Sequence, residues 1–231
     1  MIRTFIKNLS DKIGEEVSIA GWVDVRRNHG KLIFLDVRDA SGKVQSVLLP
    51  QHEDVKMTGE RLRPEWVVQV EGIVRKRPDT MKTEGVNGGI ELEATAIKVI
   101  TEAQELPFEK DTDLNLDTYL DHLPLTLRTE RARDIFKIQE TIIESFREVL
   151  RKENFTEFQA PALVGGDAEG GAAAFKVDYY YDKTAYLATS PQFYKQIMVG
   201  VFERAFATPK VFRGEKHSTT RHLSEYTSLD F

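Results

Sequence analysis

Cysteine is absent from this chain of 231 residues. That excludes disulfides, thiolate catalysis and Cys-ligated zinc, and it fits a reducing compartment, so the cytoplasm is the expected location. No apolar run approaches the ~18 residues of a membrane helix, so no membrane is an expected partner. The opening Met1-Ile2-Arg3-Thr4-Phe5 lacks the basic-then-apolar order of a secretory signal. Histidine occurs five times, but there is no H-E-x-x-H. His217 and His222 have no evident third protein ligand, so no metal site is expected within the chain. No local signature supports a serine–histidine nucleophile. Internal repeats and low-complexity segments are also missing.

What is present reads as ordinary globular protein. Hydrophobic residues make up 41% and charged residues 30%, a composition that excludes disorder and fibrous architectures. The length suits one large domain or two modest ones. Charge is uneven along the chain. Residues 1–100 carry 16 Lys and Arg against 15 Asp and Glu, while the other 131 carry 16 against 22, recovering the totals of 32 and 37. A chain binding nucleic acid over its whole surface is usually basic throughout. A near-neutral first part with local basic clusters leaves room for a confined polynucleotide site.

The first hundred residues alternate as β structure. Strands are expected at Val17–Val23, Leu32–Val37, Val44–Leu49, Trp66–Val74 and Glu91–Ile100, with a short helix between Gln51 and Arg63. Five strands with a helical insert after the third is the pattern of an OB-fold, a small Greek-key barrel. Gly21 and Gly72 stand where curved strands often need glycine. From Thr101 to Asp121 the alternation stops: seven acids accompany one lysine, and Pro107 and Pro124 interrupt the region, which reads as a hinge. Ile135, Ile138, Ile142, Phe146, Val149 and Leu150 then recur at helical steps from Thr129, ending by Asn154. A strand at Phe155–Gln159 runs to Pro161. Ser190-Pro191 reads as an N-cap followed by proline, opening a helix through Phe206. Further strands are expected at Phe175–Tyr181, Lys210–Gly214 and Glu225–Phe231, giving an α+β domain.

The densest chemistry lies between Val211 and Phe231. Two strands bracket a polar loop, with Arg213 and Glu215 before it and Arg221, His222 and Leu223 after it. Arg213 suits bidentate contact with a phosphate, Arg221 a phosphate or an aromatic face, and Glu215 an adenine amino group or an RNA end. On these residues alone, a solvated hairpin with cross-strand ion pairs is the commoner account of the pattern. The full run, Val211-Phe212-Arg213-Gly214-Glu215 through Arg221-His222-Leu223-Ser224-Glu225-Tyr226-Thr227 to Leu229-Asp230, resembles motif 2 of the class II aminoacyl-tRNA synthetases in its aspartyl and asparaginyl form. The helix and strand ending at Pro161 resemble motif 1, which in that class builds a dimer interface. Gly21–Asp39 resembles the anticodon-binding domain of aspartyl-tRNA synthetases.

The resemblance implies a fold of β-barrel plus α+β: an OB-fold anticodon-binding domain at 1–104, a hinge at 105–128, and an incomplete class II antiparallel catalytic domain with motifs 1 and 2 at 129–231. It implies ATP-dependent attachment of L-aspartate to tRNA(Asp) through aspartyl-adenylate, with Mg2+, in a homodimer. Arg213 would be catalytic, meeting both aspartate and ATP. Glu215, Arg221, His222 and Leu223 would hold ATP, and Glu169, Gln192 and Lys195 would hold aspartate. In the barrel, Arg26, Arg27, His29, Phe34 and Gln45 would meet the anticodon, with Phe34 and Gln45 on its central uridine. Anticodon bases can be splayed out, stacked on aromatics and read along their edges. Considered singly, Phe34 is more often a barrel-core residue, Gln45 part of a solvated strand and Lys195 a surface helix residue, the glycines around Glu169 read as a turn, and His29 fits a solvated loop equally well. Relatives that charge both tRNA(Asp) and tRNA(Asn) often carry histidine at the place of His29, so relaxed tRNA choice is an open expectation. Thr189 stands where relatives commonly carry glutamine, and Gly214 where they carry alanine. Motif 3, its arginine and the magnesium ligands are expected beyond Phe231, which makes the chain by itself an inactive front part. Two rivals stay open: an asparaginyl-tRNA synthetase, and a non-catalytic RNA-binding module.

Overall fold

The computed structural model describes residues 2–85, 87–109, 112–166, 173–216, 219 and 221–231. The chain divides into two compact units, residues 1–112 and 113–231.

The first unit is a closed five-stranded barrel of order β1-β2-β3-β5-β4, the OB topology. Its strands are β1 (Glu16–His29), β2 (Leu32–Asp39), β3 (Gly42–Leu48), β4 (Val67–Lys76) and β5 (Ile90–Thr101), with helix α1 (Glu53–Arg61) between β3 and β4. Alternation sends Val17, Ile19, Ile33, Leu35, Val37, Leu48, Val68, Val70 and Leu92 into one core. The first strand is longer than expected. Its first half pairs with β4 and its second half with β2, and a bulge lies between Val23 and Val25. Gly21 lies along this strand, where a Cβ would come within 2.1 Å of the Arg38 carbonyl oxygen. Gly72 meets the Glu93 carbonyl in the same way, at 2.3 Å, beside a bulge in β4–β5. Glycine in these strands therefore serves close backbone approach.

A 3-10 helix at Ile6–Lys12, unforeseen from the sequence, buries Ile6 and Leu9 in the barrel core. Asp39 ties it down. One carboxylate oxygen accepts from the Ile6 amide at 3.0 Å, and the other accepts from the Ser41 and Gly42 amides at 2.7 and 3.1 Å, closing the β2–β3 turn.

In the second unit the acid-rich stretch read as hinge contains two short helices, α2 (Leu116–Asp121) and α3 (Leu123–Thr126). The Asn115 side chain caps the first of these by accepting from the Thr118 amide at 2.9 Å. The long helix α4 (Glu130–Lys152) is capped by Thr129, as its periodicity predicts. Its strand partner shrinks to β6 (Thr156–Glu157), which runs parallel to β10 (Ala205–Phe206). Strands β7 (Leu163–Val164), β8 (Lys176–Tyr179) and β9 (Lys183–Leu187) form an antiparallel sheet of order β7-β9-β8. The expected strand to Tyr181 stops at Tyr179, because Tyr181 and Asp182 turn with φ of 62° and 54°. Helix α5 (Gln192–Phe202) ends four residues before Phe206. Glu203 takes φ 62° there, and the chain enters β10. Its N-cap is Pro191 rather than Ser190, although the Ser190 hydroxyl accepts from the Gln192 amide at 3.0 Å. Strands β11 (Lys210–Phe212) and β12 (Glu225–Thr227) form an antiparallel pair, each shorter than expected. Phe158, Ala205 and Ala207, with Tyr194 and Met198 against them, form the local core.

Candidate functional site

On the barrel, the strand period places Arg27, His29, Phe34 and Gln45 on the outer face, whereas Arg26 pairs with buried Leu35. Ile33 and Leu35 are fully buried, while Phe34 between them is partly exposed and pairs across the sheet with Arg27 and Val47. His29 is exposed and meets the Phe34 ring edge-on, with centroids 5.5 Å apart. Gln45 lies opposite Asp36 in register. Arg27 joins these two: it holds the Asp36 carboxylate at 3.0 and 2.9 Å and donates to Gln45 Oε1 at 3.2 Å. Arg26 instead donates to the Glu60 carbonyl at 2.8 Å, near the end of α1. Four of the five residues therefore form one connected surface, and Arg26 is anchored to the neighbouring helix.

The barrel also carries a charge network that sequence reasoning missed. Buried Arg38 reaches Asp24 at 3.2 Å and also Glu65, with its guanidinium 5.4 Å from the Trp22 ring centroid. Lys43 adds a contact to Asp24 at 3.6 Å. At the β4–β5 edge, burial pushes Glu91 above the ordinary carboxylate range; Arg77 opposes this and Glu93 adds to it.

In the second unit, Arg213 leaves β11 with its amide bonded to the Ser224 carbonyl at 3.0 Å. Its guanidinium carbon lies 5.8 Å from the Tyr226 ring centroid. Among the described residues, the buried Arg213 Nε finds no hydrogen-bond partner. The Gly214 amide donates to the Ala173 carbonyl at 2.7 Å, and a Cβ at Gly214 would come equally near that oxygen. Glycine at this place thus lets residue 173 approach the strand end. Glu215 is partly exposed, and Arg221, His222 and Leu223 are exposed. The Thr219 hydroxyl and His222 Nδ1 are 2.7 Å apart, and the Arg221 amide donates to that hydroxyl at 3.3 Å. Glu169 and His217 lie outside the described residues.

Gln192 and Lys195 occupy the first turn of α5. The Lys195 ammonium donates to Asp230 at 2.5 Å and to the Phe231 carbonyl at 3.3 Å. Asp230 is itself fixed by paired backbone bonds with Ala207, at 2.9 and 3.1 Å. The structure thus joins the α5 lysine to the far end of the Val211–Phe231 segment. Asp230 was visible only as one letter of that run, with no local signal for its pairing. Among the described residues no group of three or more His, Asp or Glu side chains converges to hold a metal. No helix is long and apolar enough to cross a membrane, among the described residues.

Residues 17–100 match the OB-fold nucleic acid binding domain, and residues 115–231 match the tRNA synthetases class II (D, K and N). The chain belongs to this class II tRNA synthetase family. It is 40% identical over 234 residues to the aspartate–tRNA(Asp/Asn) ligase of Thermus thermophilus, covering 99% of this chain and 52% of that protein. The aspartate–tRNA(Asp/Asn) ligase of Deinococcus radiodurans is 39% identical over 236 residues, with 99% and 50% covered. The asparaginyl-tRNA synthetase of Pyrococcus horikoshii, solved with asparaginyl-adenylate, superposes with a TM-score of 0.88 at 34% identity. That match covers 98% of this chain and 52% of that one. The synthetase chain spans about half the length of the curated relatives it matches.

Proposed function

We propose that the complete protein carrying this chain attaches L-aspartate to tRNA at the expense of ATP. The carboxylate of aspartate attacks the α-phosphorus of ATP, forming aspartyl-adenylate and releasing pyrophosphate. The terminal hydroxyl of tRNA then takes the aspartyl group and AMP leaves. Catalysis of this kind depends on positioning and charge stabilisation. Arg213 neutralises charge developing on the α-phosphate, while Glu215 and the Arg221-His222-Leu223 segment embrace the nucleotide. Glu169, Gln192 and Lys195 hold the amino acid.

The observation that carries the choice of aspartate is the Lys195 ammonium, held from one side by Asp230 and the Phe231 carbonyl. Two of its three N–H donors are used there, leaving one for a substrate carboxylate. A second reading is asparagine as substrate, favoured by the likeness to the Pyrococcus horikoshii asparaginyl enzyme. ATP–pyrophosphate exchange by the complete protein separates the two. Exchange should depend on aspartate and be weak with asparagine; the reverse preference contradicts the assignment.

On the RNA side, Phe34 supplies a stacking face, Gln45 an amide for base edges, and Arg26 and Arg27 positive charge. His29, exposed beside Phe34, can donate or accept, which suits tolerance of both aspartate and asparagine anticodons. The names of the Thermus and Deinococcus relatives, each including both tRNAs, support the same choice. Homodimerisation completes the proposal. Ile135, Ile138, Ile142 and Val149 of α4 are all more than half exposed, and such a stripe suits a self-complementary interface.

A further inference from the structure

The Arg27–Asp36 contact does more than neutralise charge. Both terminal guanidinium nitrogens, Nη1 and Nη2, engage the carboxylate, at 3.0 and 2.9 Å, a two-point contact that fixes the plane of the guanidinium. The Asp36 side chain is only 12% exposed, against 42% for Arg27, so the carboxylate is the fixed member of the pair. The same Arg27 Nη2 also donates to Gln45 at 3.2 Å. A guanidinium has donors and no acceptor, so the Gln45 atom facing it must be the carbonyl oxygen. The opposite amide orientation would set donor against donor. The Nε2 amino group, with its two N–H donors, is the end of Gln45 that remains for a ligand.

We propose that Asp36 is a positioning residue. Acting through Arg27, it locks the Gln45 amide with its oxygen turned inward, so that Gln45 offers donors only and favours uracil over cytosine at this position. The proposal rests on the reading of this surface as an anticodon site. Uracil presents N3–H and an O4 acceptor where cytosine presents an N3 acceptor and an N4 amino donor. A donor-only amide set against the 4-position complements the uracil oxygen and opposes the cytosine amino group. Phe34 stacks on either pyrimidine alike, because every base has a π-face. Discrimination therefore falls to Gln45, and the freedom of Gln45 to flip is set by Asp36.

Anticodon stem-loop RNAs that differ only in their central base, uridine or cytidine, provide the test, with binding measured on this chain. The wild type should bind the uridine loop more tightly by roughly tenfold or more. Asp36→Ala should bring the ratio close to one, with Asp36→Asn between the two. Thermal unfolding shows whether each variant folds, and the isosteric Asn variant serves where the Ala variant does not. A merely structural role would weaken both loops together and leave their ratio unchanged. Gln45→Glu, an acceptor-only side chain still paired to Arg27, should reverse the preference towards cytidine. A wild-type ratio retained by folded Asp36 variants, or equal binding of both loops by the wild type, overturns the proposal while leaving the tRNA reading intact. Binding of neither loop by the wild type contradicts the tRNA reading and the proposal with it.

Discussion

Arg213 joins the two halves of the chemistry proposed for the second unit, since one guanidinium is asked to meet both carboxylate and phosphate. Its buried Nε without a described partner, and its place beside Tyr226, are consistent with a group held ready for an anion. Because its charge counts most as charge develops on phosphorus, Arg213→Ala should lower aspartate-dependent exchange by the complete protein ~100-fold or more. Wild-type exchange by that variant would remove Arg213 from the mechanism. Glu91 offers a test in the barrel. Burial raises its pKa, so the folded chain binds this proton more tightly than the unfolded chain does. The stability this group contributes is present below the ordinary glutamate range and is lost as pH rises through the raised value. Glu91→Gln removes that loss, so the stability of the variant relative to wild type should grow as pH rises from the ordinary glutamate range through the raised value. Urea midpoints across that range check it; a difference that is flat or falls with pH contradicts it. Residue types and motif spacing pointed to Lys195 and Gln45, but their partners were not legible. Asp230 is 35 residues from Lys195, and Arg27 is 18 from Gln45, separations that only folding closes.

Elements were legible where apolar residues recur with a sustained period. Each barrel strand alternates against a single core, and α4 repeats its apolar residues at helical steps, so their existence followed from the sequence. The helices α2 and α3 were not legible because six and four residues are too few to show a helical period. Strands as short as β6, β7 and β10 carry two residues each, too few to show a period. Their pairing is imposed by the surrounding fold. Glycine was read correctly at Gly72 for curvature, and the structure adds the cause: the Glu93 carbonyl occupies the place of a Cβ. Gly72→Ala should therefore destabilise the barrel by about 2 kcal/mol, as overpacking against backbone does. A lowered urea midpoint at unchanged slope would show it, and an unchanged midpoint would mean that β4 and β5 separate without cost.

At the scale of the whole molecule, the barrel and the α+β unit each match their own domain family, and together they make a class II tRNA synthetase half. The order of the two was legible from the change of periodicity and from the Val211–Phe231 run, whereas the proposed choice of aspartate rests on Lys195. The exposed apolar stripe of α4 leads to a prediction at this scale. The complete protein should scatter light as a dimer at micromolar concentration, and Ile138→Lys with Ile142→Lys should shift it towards monomer. Monomer in the wild type would contradict the α4 interface. The most direct test of the central claim is charging of tRNA transcripts by the complete protein with labelled aspartate and, separately, labelled asparagine. The account predicts ATP-dependent aspartyl-tRNA formation on the tRNA(Asp) transcript, with the tRNA(Asn) transcript also accepted. Asparaginyl-tRNA as the product, or no aminoacylation of either transcript, would contradict it.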